Sequence, residues 1–170
     1  MASESKPIDC YIAAFHNSHM DPYFEKRGFS RGLILFAIPS YGILFRCRAE
    51  GDTVDLEFGA FFALLRFVKT RLEKQKISKL VVYSSNPEFV FSFAGYGRHI
   101  ARGSARDKLI REYGQTFNVA VSYVEPRKNQ SLVASADFPS MPAGRELPFK
   151  PASDDSARGE FKPILKGLKI

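Results

Sequence analysis

Glu57 is a carboxylate set into an apolar stripe. Leu56, Ala60, Phe61, Leu64, Phe67, Val68 and Leu72 recur at steps of three and four, the period of one helix face, and Glu57 stands at the top of that stripe. A carboxylate so placed needs a hydrogen-bonding partner, a metal ion or an exposed helix end. A second group of candidate ligands is His16, His19, Asp21 and Glu25. His-x-x-His with nearby acids suits zinc or another transition metal if the segment folds around it; otherwise the imidazoles are solvated or hydrogen-bonded, the commoner state of loop histidines. Ser84 and Ser85 lack the glycine pattern of a nucleophile elbow. Gly95-x-Gly97 before Arg98 lacks the strand and third glycine of a dinucleotide fingerprint, and reads as a helix end. Cys10 and Cys47 lie far apart in apolar contexts, as buried reduced thiols do.

Charge supplies the next clue. The net charge is +7 with a pI near 9.5, a field that favours polyanions such as nucleic acid or an acidic protein surface. The cations concentrate at Arg98, Arg102, Arg106, Lys108 and Arg111, followed by Arg127 and Lys128. Arg98, Arg102 and Arg106 are spaced to align along a single helix, although Gly95, Gly97 and Gly103 interrupt the segment. Two readings stay open. The set is either a ridge that contacts phosphates or a solvated helix side with Asp107 and Glu112 as local partners.

These residues must be positioned by a core, and 170 residues with 45% hydrophobic content suffice for one domain. Ile8 to Phe15 reads as a strand, followed by a polar connection through Arg31. Leu33 to Ile38 and Ile43 to Arg48 are two more strands around the turn Pro39-Ser40-Tyr41-Gly42. Apolar and basic residues alternate at the end of the third, so one of its faces is expected to reach water. Asp52 or Thr53 caps the long helix that carries Glu57. Leu80 to Tyr83 is a fourth strand. Pro87 opens a short helix packed by Phe89, Val90, Phe91 and Phe93. Ser104 with Asp107 has capping-box spacing for a helix running to Gly114, and Phe117 to Val124 is a fifth strand. Pro126 to Ser135 leads into a last short helix.

From Asp137 the character changes. Five of the ten prolines lie there and apolar periodicity vanishes, so 1–136 reads as the domain and 137–170 as a proline-rich extended or disordered tail. Lysines alternate with Ile164, Leu165, Leu168 and Ile170 at its end, giving either a docking peptide or a frayed terminus.

Three strands joined in succession and then strand–helix crossovers predict a mixed five-stranded sheet with helices on both faces, an α/β fold. In this order the sequence resembles the ribonuclease H-like superfamily. Glu57 to Leu65 (EFGAFFALL) is similar to that family's helix signature, Leu80 to Asn86 (LVVYSSN) to its fourth strand, and Val124 to Ala136 (VEPRKNQSLVASA) to the approach to its last helix. The resemblance implies two magnesium ions held by carboxylates from the first strand, the long helix, the fourth strand and the last helix. Only Glu57 matches. Phe15, His16 and Asn17 close the first strand, Ser84 or Ser85 the fourth, and Leu132 or Val133 falls at the last helix position. Two divalent ions about 4 Å apart repel by roughly 17 kcal/mol at an effective dielectric of 20. One glutamate among hydroxyls and amides does not offset that.

The resulting expectation is a catalytically degenerate domain that needs no cofactor and acts as a nucleic-acid-binding or assembly module. Glu57 is then a catalytic remnant, and Arg98, Arg102, Arg106, Arg127 and Lys128 are the nucleic-acid contacts. The alternative is an active nuclease using Mg2+ or Mn2+, with Glu57, Asp9 and Asp137 forming a rearranged site. A third reading is a protein-interaction or homo-oligomerisation domain that docks through the C-terminal tail. No apolar run spans a membrane and the N-terminus lacks a signal-peptide core, so the expected location is cytoplasmic.

Overall fold

The computed structural model describes residues 7–16, 31–94, 99–136 and 160–163. Its centre is the helix that the apolar stripe predicts, α1 (Thr53–Arg71). Asp52 caps it, its side chain accepting from the Asp55 N–H at 2.8 Å. The turn into that cap requires glycine. Gly51 sits at φ 146°, and a Cβ there would lie 2.8 Å from the Cβ of Asp55.

The strands are β1 (Ile8–His16), β2 (Arg31–Ile38), β3 (Ile43–Glu50), β4 (Lys79–Ser84), β5 (Asn118–Tyr123) and β6 (Glu160–Pro163). They form one mixed sheet in the order β5-β4-β1-β2-β3-β6. β1, β2 and β3 pair antiparallel, whereas β4 and β5 run parallel to β1. Among the described residues the sheet therefore has six strands, one more than expected. The sixth comes from the proline-rich segment and pairs antiparallel with β3, Phe45 opposite Phe161.

Strand alternation divides the core. Ile12, Ile34, Phe36 and Phe45 face α1 and build the main cluster with Phe58, Phe61, Leu64 and Val68. Ala13, Leu33 and Leu35 face the other way, where Leu132 of α4 (Gln130–Ala136) covers them. Helices thus pack on both faces. Two shorter helices, α2 (Pro87–Phe93) and α3 (Ala105–Gly114), connect β4 to β5.

Two local expectations change. Phe91 does not pack α2 but stands 62% exposed, because Phe89 and Ser92 take the inward positions of this short helix. Arg46 is fully buried although its strand face was expected to reach water. It lies opposite Leu35 on the face that α4 covers, and β6 pairs along the same strand. Both cysteines are free thiols, and burial pushes Cys10 up to about 12, which leaves it unreactive near neutrality. Among the described residues no helix is long and apolar enough to cross a membrane.

Candidate functional site at the sheet end

Three elements converge where β1 and β4 finish. Ser84, the last residue of β4, donates from Oγ to Glu57 Oε1 at 2.5 Å. The Ala14 N–H of β1 donates to the same carboxyl. The Asn86 N–H donates in turn to Ser84 Oγ at 3.0 Å, tying the start of α2 to the pair. Glu57 is only 3% exposed. Burial pushes its pKa from 4.5 up to about 7, against the lowering effect of the Ser84 and Ala14 hydrogen bonds.

A second polar knot lies behind this one. Asn129 is fully buried, and its Nδ2 donates to the Ile12 carbonyl at 2.8 Å and to Ser85 Oγ at 3.1 Å. Its Oδ1 accepts from the Ser131 N–H at 3.1 Å and from Ser131 Oγ at 2.6 Å. Asn129 thereby fastens α4 to β1 and β4. Sequence reasoning missed it; the signal was Asn-x-Ser just after a proline turn, the spacing of a side chain that bonds its own backbone two residues on. A cleft of about 620 Å³ opens beside these groups, lined by Ala14, Thr53, Glu57, Ser85, Asn86 and Glu88 among others. At its rim His99 Nε2 and Glu88 Oε1 are 2.6 Å apart.

The described residues do not fit a magnesium pair. Glu57 is already engaged by two donors and has its pKa raised to about 7. Ser84, Ser85 and Asn86 beside it bring hydroxyl and amide groups, and Glu88, the second carboxyl of the cleft, is engaged by His99. Among the described residues no group of three or more His, Cys, Asp or Glu side chains is placed to hold a metal ion. Asp9 cannot join Glu57. It pairs with Val81 five residues before Ala14, about 16 Å along the strand at 3.3 Å per residue, and alternation turns it to the opposite face. Asp137, His19, Asp21 and Glu25 lie outside the described residues, and His16 is placed by its backbone alone as the end of β1.

The basic residues do not share one helix. α3 begins only at Ala105, so Arg102 stands exposed in the turn before it, and Arg98 lies outside the described residues. Arg106 turns inward to the first turn of α1. It pairs with Asp55, donates to the His99 carbonyl at 3.2 Å, and lies over the Phe58 ring at 4.3 Å. Arg127 and Lys128 are exposed on a 3-10 turn after β5, where Arg127 Nε donates to Glu125 at 2.8 Å.

Arg106 therefore has a structural duty that a solvated ridge would not give it. Arg106→Ala is expected to lower stability by about 1–2 kcal/mol, mostly through the lost stacking, since an ion pair this exposed contributes little. Arg106→Lys keeps the charge but not the planar fork, so it should recover less than half of that loss in urea unfolding. A Lys variant as stable as the parent would show that charge alone is what counts.

The architecture has close counterparts among solved structures. LC11-RNase H1, solved in complex with an RNA/DNA hybrid, superposes with a TM-score of 0.54 at 12% identity, covering 72% of this chain and 88% of that one. A second structure of LC11-RNase H1, isolated from compost by a metagenomic approach, gives 0.51 at 13%, covering 75% and 91%. RNase H1 from the halophilic archaeon Halobacterium salinarum gives 0.50 at 12%, covering 76% and 93%. No protein-family model and no curated protein matches the sequence. At such identity the likeness is one of backbone and not of side-chain chemistry. Strand order, the central helix and these neighbours together establish that the chain has the ribonuclease H-like fold.

Proposed function

We propose that this protein is a nucleic-acid-binding module on a ribonuclease H-like fold, in which the sheet-end carboxylate has become a structural group. The observation that carries the reading is the state of Glu57: buried, hydrogen-bonded to Ser84 and Ala14, and held near neutrality where a metal site needs converging anions. Nucleic acid as the partner is supported by the net charge of +7 and by a structural neighbour that was solved with an RNA/DNA hybrid.

Of the five cations expected to contact nucleic acid, Arg102, Arg127 and Lys128 are described and exposed, and the Arg127–Glu125 pair is a surface pair that is easily exchanged. With about three contacts on a duplex, log K should fall against log salt with a slope near −0.9 per contact, roughly −2.7 in all. Neutralising Arg102 and Lys128 should flatten the slope by about two. Incubation of an RNA/DNA hybrid with magnesium or manganese should yield no product. Cleavage that disappears in Glu57→Gln would replace this reading with the nuclease one.

Assembly is the second reading, and the pairing of Glu160–Pro163 with β3 favours it. A strand supplied from a distant segment can be supplied equally by another copy. No duplex binding at low salt, together with a concentration-dependent size in solution, would bring assembly to the front.

A further inference from the structure

We infer that the cleft at the start of β1, remote from Glu57, is a stacking site for an unpaired guanine base. This rests on the nucleic-acid reading and deepens it by naming the group recognised. The cleft measures about 760 Å³ and is lined by Asp9, Tyr11, Pro39, Ser40, Tyr41 and Gln130, with Pro7 and Ile8 at its edge. That is the size of a small-molecule pocket. It lies at the sheet end where β1 begins, with Asp9 and Tyr11 turned by alternation away from α1 and Ile8 and Tyr41 packed against the main cluster.

Aromatic surface is concentrated there. Tyr11 lines the cleft, and its ring is backed by its cross-strand partner Tyr83, outside the lining, with centroids 5.0 Å apart at 22°. The same row continues to Ser122 beyond Tyr83 and Ala37 beyond Tyr11, so small residues flank the pair. Tyr41 supplies a second tyrosine in the wall. Such a pair stabilises an open sheet face by itself, but aromatic rings on a sheet are also what unpaired bases stack upon.

The polar groups select among bases. Asp9 is exposed, and none of the hydrogen bonds or ion pairs of the described residues engages its carboxylate. A carboxylate only accepts. Guanine presents two adjacent donors, N1–H and the N2 amino group, which match its two oxygens. Adenine, cytosine and uracil each place an acceptor beside a donor on that edge and leave one oxygen unmatched. The Gln130 amide supplies both a donor and an acceptor for the rest of the base. Its Nε2 reaches the Lys128 carbonyl at 3.4 Å, which ties Gln130 to the exposed turn that carries Arg127 and Lys128.

Two tyrosines and a carboxylate also suit a quaternary ammonium group. Lys128 and Arg127, two and three residues before Gln130 in the chain, add positive charge that disfavours a cationic peptide, which leaves the base as the occupant.

The test uses the full chain with fluorescent single-stranded hexaribonucleotides that differ only in carrying two guanines or two adenines. The guanine strand should bind at least about 10-fold tighter. Tyr11→Ala should lose roughly 10-fold or more, while Tyr11→Phe keeps the affinity. Asp9→Asn should abolish the preference for guanine with the fold unchanged by circular dichroism, and it decides the matter should Tyr11→Ala fail to fold. Competition by guanosine monophosphate as strong as by the strand would assign the cleft to free nucleotide, and weaker competition to a strand; either supports guanine. Equal binding of the two strands, an unchanged preference in Asp9→Asn, or displacement by a trimethyllysine peptide would overturn the assignment. Salt-dependent duplex binding without guanine preference would remove this site and leave the general reading. Guanine preference without duplex binding would do the reverse.

Discussion

Between pH 4 and pH 8 the folded chain is expected to lose roughly 3 kcal/mol of stability at Glu57 alone, from a pKa raised from 4.5 to about 7. The sign follows from proton counts. Between the two values the unfolded chain has released the Glu57 proton while the folded chain still holds it, so unfolding becomes easier as pH rises. The loss begins near 4.5 and is complete above 7. Asp107 works in the opposite direction. The Gly103 N–H and then Arg111 hold its carboxyl below its usual value, so its contribution is lost only as pH falls below the ordinary carboxylate range. The two windows therefore separate. Urea unfolding at stepped pH should show a fall across pH 4.5–7 in the parent and a flatter profile in Glu57→Gln, which cannot ionise. Parallel profiles would mean that Glu57 is anionic in the fold and does not serve as a protonated structural carboxyl. A binding module gains nothing from an anion at this position, whereas a metal site would depend on one.

Much of this was legible in the chain, and the reason is periodicity. Leu56 to Leu72 could pack in one way only, and the short runs Leu33–Ile38 and Leu80–Tyr83 had strand length and strand residues. Glu57 stood out because it broke the stripe. What was not legible depends on contacts between distant segments. β6 carries no pattern of its own, since an edge strand of four residues ending in Pro163 is defined by the backbone it meets. Arg106 looked like one cation among several, and nothing local reveals that Phe58 and Asp55 receive it from 48 and 51 residues away. The cleft at Tyr11 was equally hidden, because it needs a turn that brings Tyr41 to the same wall and a register that backs Tyr11 with Tyr83.

Phe89→Ala should cost about 3–5 kcal/mol, which approaches the whole stability of a small domain. Phe89 is fully buried, and its ring meets Phe58 at 4.9 Å, Phe93 at 5.1 Å and Phe61 at 5.6 Å, each edge-on. Edge-on pairs add to the burial itself, so the cavity left by truncation forfeits both. The seven residues of α2 are too few to be helical alone. They are held by this ring and by Asn86, which caps the helix by accepting from the Phe89 N–H at 3.1 Å. Asn86 also donates to Ser84 Oγ, the hydroxyl that serves Glu57. Loosening α2 should therefore reach the sheet end. In Phe89→Ala the pH-linked fall of Glu57 should shrink, because water admitted beside the carboxyl returns its pKa toward 4.5. Phe89→Leu should recover more than half of the lost stability and the full pH dependence. Phe91→Ala, two residues on and 62% exposed, should change stability by less than about 0.5 kcal/mol. If Phe89→Ala destabilises as stated while the pH-linked fall stays intact, α2 and the Glu57 pocket are energetically separate. The hydrogen bond from Asn86 to Ser84 would then transmit nothing between them.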